Sequence, residues 1–90
     1  MNPADLIAAL GSDPRVESLY INRGTIDGVT YLSIDAHVPS TGALDRIVAD
    51  IGLPEPVYHH EGGMMWVGSE FRCETHSVHI YTRLREARAA

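Results

Sequence analysis

The chain has 90 residues, one cysteine and a formal net charge of −5, and these three properties exclude several classes of protein. A chain with this net negative charge cannot neutralise many phosphates, which excludes a general nucleic-acid-binding surface. One cysteine excludes an internal disulfide, and no apolar run reaches the ~18 residues that indicate a transmembrane helix. We therefore expect no nucleic acid or membrane partner and a single small domain with a thin core over residues 1–90.

The beginning of the chain carries no basic segment and leads into an amphipathic stretch, so we expect no signal peptide. We therefore expect a cytoplasmic protein of a bacterial cell, native or phage-infected. All seven basic residues are arginines, and the many Ala and Gly residues indicate a high-GC genome. Small size and this composition lead us to expect a phage or mobile-element accessory protein that inhibits or adapts a host protein.

A short amphipathic helix is predicted at the start of the chain. Asn2 suits the N-cap, Pro3 the first helical position, and Asp5 the positive end of the helix dipole. The apolar stripe is Leu6, Ile7 and Leu10. Gly11 is expected to end this helix.

A β-hairpin is predicted next, with strands near Val16–Arg23 and Val29–Val38. Asp27-Gly28 between alternating apolar runs favours a two-residue turn in which both residues adopt positive φ. The turn pairs Ile26 with Val29, and counting outward sets the rest of the register. The predicted pairs are Ile21 with Ile34 and Leu19 with Ala36 on an apolar face, and Tyr20 with Asp35 and Ser18 with His37 on a polar face.

A second helix is predicted after Ser40 or Thr41, either of which can serve as the N-cap. Its apolar positions follow the i, i+3, i+4, i+7 pattern of an amphipathic helix. They are Leu44, Ile47, Val48 and Ile51. Gly52 fits the C′ position, and Pro54 follows just beyond the end.

Three further strands are predicted: Val57–Glu61, Met64–Glu74 and Val78–Leu84. The connections are a turn at Gly62-Gly63 and a turn over Glu74–Ser77. Residues 85–90 would form a disordered tail. In the last hairpin we expect the inward-facing pairs Cys73 with Val78, Phe71 with Ile80, and Ser69 with Thr82.

These elements predict a two-layer α+β sandwich in the order α-β-β-α-β-β-β, with a mainly antiparallel sheet and both helices on one face. The predicted core residues are Leu19, Ile21, Leu32, Ile34, Leu44, Ile47, Val48, Val67, Phe71, Val78 and Ile80.

The other face of the sheet is then left uncovered and is the leading candidate for a binding surface. It is rich in aromatic residues, Met and Arg, the residue types enriched at protein interfaces. The predicted interaction residues are Tyr20, Asp35, His37, His59, Met64, Trp66, Arg72, His79 and Tyr81. A bulge at Gly68-Ser69 would instead turn Met64 and Trp66 to the helix side. The expected function is a non-enzymatic module that binds a protein partner, or a second copy as a homodimer, through this face or an edge strand.

Two histidine arrangements are weighed as metal sites, although no cofactor is predicted. His37, His59 and His79 share the uncovered face, so a zinc or small-ligand site with Asp35 nearby is the alternative function. Cys73, His76 and His79 also have suitable side chains. The expected register sends Cys73 and His79 to opposite faces and puts His76 in the turn, so these three should not converge.

A third alternative is a small hydrolase built on Ser18, Asp35 and His37. Ser18 is expected across from His37, and Asp35 two residues along the same face, which are the residue types of a nucleophilic triad. An open sheet supplies neither an oxyanion hole nor an enclosed pocket. We therefore expect cross-strand polar pairing here, and a binding protein is favoured over an enzyme.

Overall fold

The computed structural model describes residues 2–84, and it contains the predicted elements in the predicted order. The helices are α1 (Pro3–Gly11) and α2 (Thr41–Ile51). The strands are β1 (Ser18–Ile26), β2 (Val29–His37), β3 (Val57–Glu61), β4 (Met64–Arg72) and β5 (His76–Leu84). The tail predicted at residues 85–90 lies outside the described residues.

The five strands form one sheet in the order β1-β2-β5-β4-β3. The β1–β2, β3–β4 and β4–β5 pairings are antiparallel, whereas β2 and β5 run parallel. The buried side chains of both helices join those of one sheet face in a single core cluster. The predicted α+β class and mainly antiparallel sheet are therefore confirmed, with one parallel pairing that makes the sheet mixed. No helix in residues 2–84 is long and apolar enough to cross a membrane.

Both helices begin and end where the capping residues predict. The Asn2 side chain accepts a hydrogen bond from the Asp5 backbone N–H at 2.9 Å. Ser40, rather than Thr41, caps α2 by accepting a hydrogen bond from the Ala43 N–H at 3.1 Å. Gly52 ends α2 at φ 82°, a left-handed conformation that glycine adopts without steric cost.

The first hairpin has the predicted register throughout, from Ile26 opposite Val29 to Ser18 opposite His37. Its turn places Asp27 at φ 51° and Gly28 at φ 77°, the positive angles that a two-residue turn of this type requires. Local turn chemistry was therefore sufficient to align these strands.

The register predicted for the last hairpin is wrong by two residues. Phe71 pairs with Val78 and Ser69 with Ile80, because the turn is tighter than Glu74–Ser77. The Cys73 N–H donates to the His76 carbonyl at 2.9 Å, so β5 already begins at His76. A shift of two preserves which side chains face the core, since side chains alternate with a period of two. It does, however, remove Cys73 from its expected place opposite Val78.

The β4 register is continuous from Met65 to Arg72, so there is no bulge at Gly68-Ser69. Trp66 and Met64 therefore stay on the face away from the helices.

The core lies between the two helices and β2, β4 and β5. Of the predicted core, Leu19 is half-buried at the edge of the cluster and Leu32 is half-buried outside it, whereas Ile21 is 45% and Phe71 40% exposed. Ile21 lies on the edge strand β1, whereas the helices pack mainly on the other strands, and Phe71 lies near the end of β4. Core residues that the prediction omitted are Leu6, Leu10, Ala36 and Val38.

This distribution of burial predicts different costs for two aliphatic truncations. Leu44 is fully buried, so Leu44→Ala should lower the free energy of unfolding by about 2–5 kcal/mol. Ile21→Ala removes a half-exposed side chain and should cost about 1 kcal/mol or less. Urea unfolding followed by circular dichroism measures both, and equal losses would contradict this account of the core.

Candidate binding groove on the open face

The sheet face opposite the helices, hereafter the open face, is covered by no described helix or loop. All nine predicted interaction residues lie on it, because the strand register places them at the alternate positions whose side chains face away from the helices. Tyr20, on the edge strand β1, is 60% exposed. The open face is therefore an accessible surface of mixed aromatic and polar character.

The centre of the open face is a groove with a volume of about 510 Å³. Pockets of about 300–1,000 Å³ accommodate small ligands or a few side chains of a partner. The groove is lined by Tyr20, Asn22, Asp35, Met64, Trp66, His79, Tyr81 and Arg83. We did not predict Asn22 and Arg83 as interaction residues, although the alternation of side chains along β1 and β5 already placed them on this face. His37, His59 and Arg72 lie on the open face outside the groove lining.

Stacked rings form much of the open face. The His79 and Tyr81 rings stack with centroids 5.0 Å apart and planes 18° apart. The His37 ring is tilted by 59° against the Tyr81 ring, with the centroids 5.3 Å apart. His59 stacks on Trp66 at 5.2 Å and 16°. These neighbouring rings restrict the rotamers of His79, Tyr81 and Trp66 before any ligand arrives.

Gly68 leaves room for this packing. It lies on the open face across from Tyr81. A Cβ there would be 2.8 Å from His79 Nε2 and 3.1 Å from the Ile80 carbonyl oxygen, both closer than ordinary van der Waals contact. The missing side chain therefore lets the His79 ring lie against the backbone of β4.

The groove carries opposite charges at its two ends. Asp35 Oδ1 is 3.7 Å from His79 Nδ1 at one end. Arg83 lies four residues further along β5, about 13 Å away at the usual rise of a strand, and across from Trp66. A ligand that spans the groove would therefore meet a carboxylate at one end and a guanidinium at the other.

His37, His59 and His79, the predicted metal ligands, are not brought together. His59 is in register with Trp66 and His79 with Glu70, and these two β4 positions are four residues, or about 13 Å, apart. Within residues 2–84, no group of three or more His, Cys, Asp or Glu side chains is placed to hold a metal ion.

Of the hydrolase candidates, Ser18 is in register with His37 as expected, but Asp35 is not the carboxylate beside the His37 ring. His37 Nδ1 is 3.1 Å from Glu17 Oε2, so Glu17 and not Asp35 is the carboxylate beside this ring. Asp35 contacts His79 instead. Neither Ser18 nor His37 lines the groove.

Cys73 and His76 contact each other, a pair that the sequence was not expected to bring together apart from His79. Cys73 Sγ is 3.3 Å from His76 Nδ1 and 3.5 Å from Thr75 Oγ1. The two-residue change of register brings this about, because Cys73 closes the turn instead of pairing with Val78. His79 lies on the other face of β5, as expected, so it does not join them.

Comparison with known proteins gives no match, whether to a protein-family model, to a curated protein or to a solved structure.

The close contact at Gly68 predicts that even one methyl group disturbs the groove. Gly68→Ala should lower the free energy of unfolding by about 1–3 kcal/mol, because the added Cβ meets both a side chain and the backbone. It should also change the chemical shifts of the His79 and Tyr81 rings in NMR spectra.

Gly24→Ala is the matched control, since a Cβ at Gly24 in β1 meets nothing within 4 Å. This variant should retain wild-type stability or gain slightly. Equal effects of the two substitutions would contradict the role of Gly68 in holding His79.

Proposed function

We propose that this protein is a non-enzymatic binding module that holds an extended segment of a partner protein in the groove of the open face. The observation that carries the proposal is the groove itself, an aromatic-lined concavity of about 510 Å³ that no described element covers.

The composition of the groove supports recognition of a protein. Trp, Tyr and Arg are the side chains that most often dominate the binding energy of interfaces, and the groove presents Trp66, Tyr20, Tyr81 and Arg83 together. Met64 beside them adds a flexible apolar contact. The stacked rings lose little further freedom on binding, which reduces the entropic cost of association.

The charges suggest how a partner segment would be oriented. A basic group of the segment would meet Asp35, an acidic group would meet Arg83, and an apolar or aromatic side chain would lie between them near Trp66. Such complementary charges determine register and direction more than affinity. Pairing of a partner strand with an exposed edge strand, β1 or β3, is the second route that the sheet offers.

Selection from a displayed library of random peptides tests the proposal, because the library samples many segment sequences at once. Peptides enriched on the wild-type protein should bind Trp66→Ala and Tyr20→Ala at least about tenfold more weakly, because each variant removes an aromatic wall of the groove. Isothermal titration calorimetry measures these affinities, and circular dichroism checks that both variants remain folded.

Tyr58→Ala is the matched control, since Tyr58 is 68% exposed but lies on the helix side of β3, in register with Val67. It should leave peptide affinity unchanged. Enrichment of no peptide, or equal losses for Tyr58→Ala and Tyr20→Ala, would refute binding through the groove. Loss of folding in Trp66→Ala would show that Trp66 supports the core, and Tyr20→Ala would then decide the question alone.

A second copy of the chain is the alternative occupant of the open face. Sedimentation equilibrium over a range of protein concentrations distinguishes the two cases. If the wild type is a dimer and Trp66→Ala is a monomer, the occupant of the open face is a second copy of the chain and not a partner segment. If the wild type is a monomer at all concentrations, the groove is free to bind the segment.

A further inference from the structure

A second group of side chains lies in the turn between β4 and β5, where Cys73, Thr75 and His76 contact one another. Thr75 Oγ1 is 2.9 Å from His76 Nδ1, which completes the triangle made by the two contacts of Cys73 Sγ. Cys73 is half-buried, and it is the only cysteine of the chain.

The His76 ring is held in this arrangement by its surroundings. The residue is only 6% exposed, and its ring lies against Phe71 with the centroids 5.9 Å apart. Its Nε2 is buried and has no hydrogen-bond partner among the described residues. The polar contacts that the described residues make with the ring are therefore at Nδ1, which is directed at Cys73 Sγ and Thr75 Oγ1. In the tautomer that carries hydrogen on Nδ1, the ring can donate to the sulfur.

The environment of the sulfur favours the thiolate. The hydrogen bond from the Thr75 side chain, followed by those from the Thr75 and His76 backbones, lowers the pKa of Cys73 below its usual range. Burial and the nearby Glu74 carboxylate act in the opposite direction but are the smaller effects. Thiolates, rather than thiols, are the nucleophilic form of cysteine.

Cys73 is also accessible from a surface groove that is separate from the proposed partner site except for the shared Asn22. This turn groove has a volume of about 580 Å³ and lies between the β1–β2 hairpin and the end of β4. Arg23 and Arg72 line it together with Tyr31 and Cys73. Arg23 and Arg72, of which Arg72 also contacts Glu70 Oε1 at 3.3 Å, give the lining of this groove two guanidinium groups, which favour a small reactant that carries carboxylates.

We propose that Cys73 is a thiol-modification site that forms a mixed disulfide with small anionic disulfides bound in the turn groove, with Thr75 and His76 as positioning residues. The Cys73 thiolate attacks one sulfur of the disulfide, and the original S–S bond breaks as the new one forms. The other sulfur leaves as a thiolate, which takes a proton from water if the pH is below its own pKa. Cys73 is oxidised and the leaving group is reduced, so no further oxidant is needed.

The reaction of the purified protein with dithiobis(nitrobenzoate), an aromatic disulfide with two carboxylates, tests this proposal. The coloured leaving thiolate reports the rate, and every event occurs at Cys73 because the chain has no other thiol. Rates measured from about pH 5 to about pH 9 give the thiol pKa as the midpoint of the profile. The midpoint of the folded protein should be lower than that of the same protein in urea, and coincident midpoints would overturn the proposal.

Thr75→Val tests the positioning role, because it removes the hydroxyl while keeping the shape of an exposed side chain. The midpoint should rise, and the rate constant at pH 7 should fall about threefold. A higher pKa of Cys73 lowers its thiolate fraction, and the greater nucleophilicity of the more basic thiolate offsets part of that loss. Thr30→Val, on the exposed part of the first hairpin, should match the wild type. An unchanged midpoint in Thr75→Val would refute this role.

His76→Phe keeps an aromatic ring and removes the contact at Nδ1, so it should also raise the midpoint. If that variant does not fold, Thr75→Val remains sufficient to decide the question.

Arg72→Gln tests the preference for anions. It should lower the rate with dithiobis(nitrobenzoate) but not with the neutral disulfide dithiodipyridine, and equal changes with both reagents would refute binding of an anion in the turn groove.

Discussion

The parallel ladder between β2 and β5 is the interaction on which the rest of the structure depends. It joins the β1–β2 hairpin to the β3-β4-β5 meander, and it is the only strand pairing between these two parts of the described chain. The groove spans this seam, because Asp35 is contributed by β2 and its neighbour His79 by β5. Without the ladder, neither a continuous core nor the groove would exist.

The two short helices determine which face of the sheet can bind. They cover one face only, and their buried leucines, isoleucine and valine complete a single cluster with that face. A sheet of five strands therefore presents its second face to the surroundings, as antiparallel sheets commonly do. What distinguishes this open face from an ordinary solvated one is the groove, whose lining includes the stacked rings of His79 and Tyr81. The missing side chain of Gly68 leaves room for the His79 ring.

The elements and faces could be predicted because their signals are local. Asn2, Ser40 and Gly52 mark helix ends through bonds to backbone groups a few residues away. Alternation along each strand then placed all nine proposed interaction residues on one face, and an error of two residues in the last hairpin did not change that. The contact of Cys73 with His76 was not predicted, because it depends on a β4–β5 turn that is shorter than the predicted turn Glu74–Ser77.

The sequence by itself thus determined the order of elements, the register of the first hairpin and which side chains of each strand share a face. It could do so because helix capping, turn geometry and the two-residue period of strands act over short distances. Only the tertiary structure decided which strands are neighbours. It set Asp35 beside His79, separated His59 from both His37 and His79, and paired His37 with Glu17. Strand order is decided by long-range packing of the helices and sheet into one core, and no local pattern in the chain encodes it.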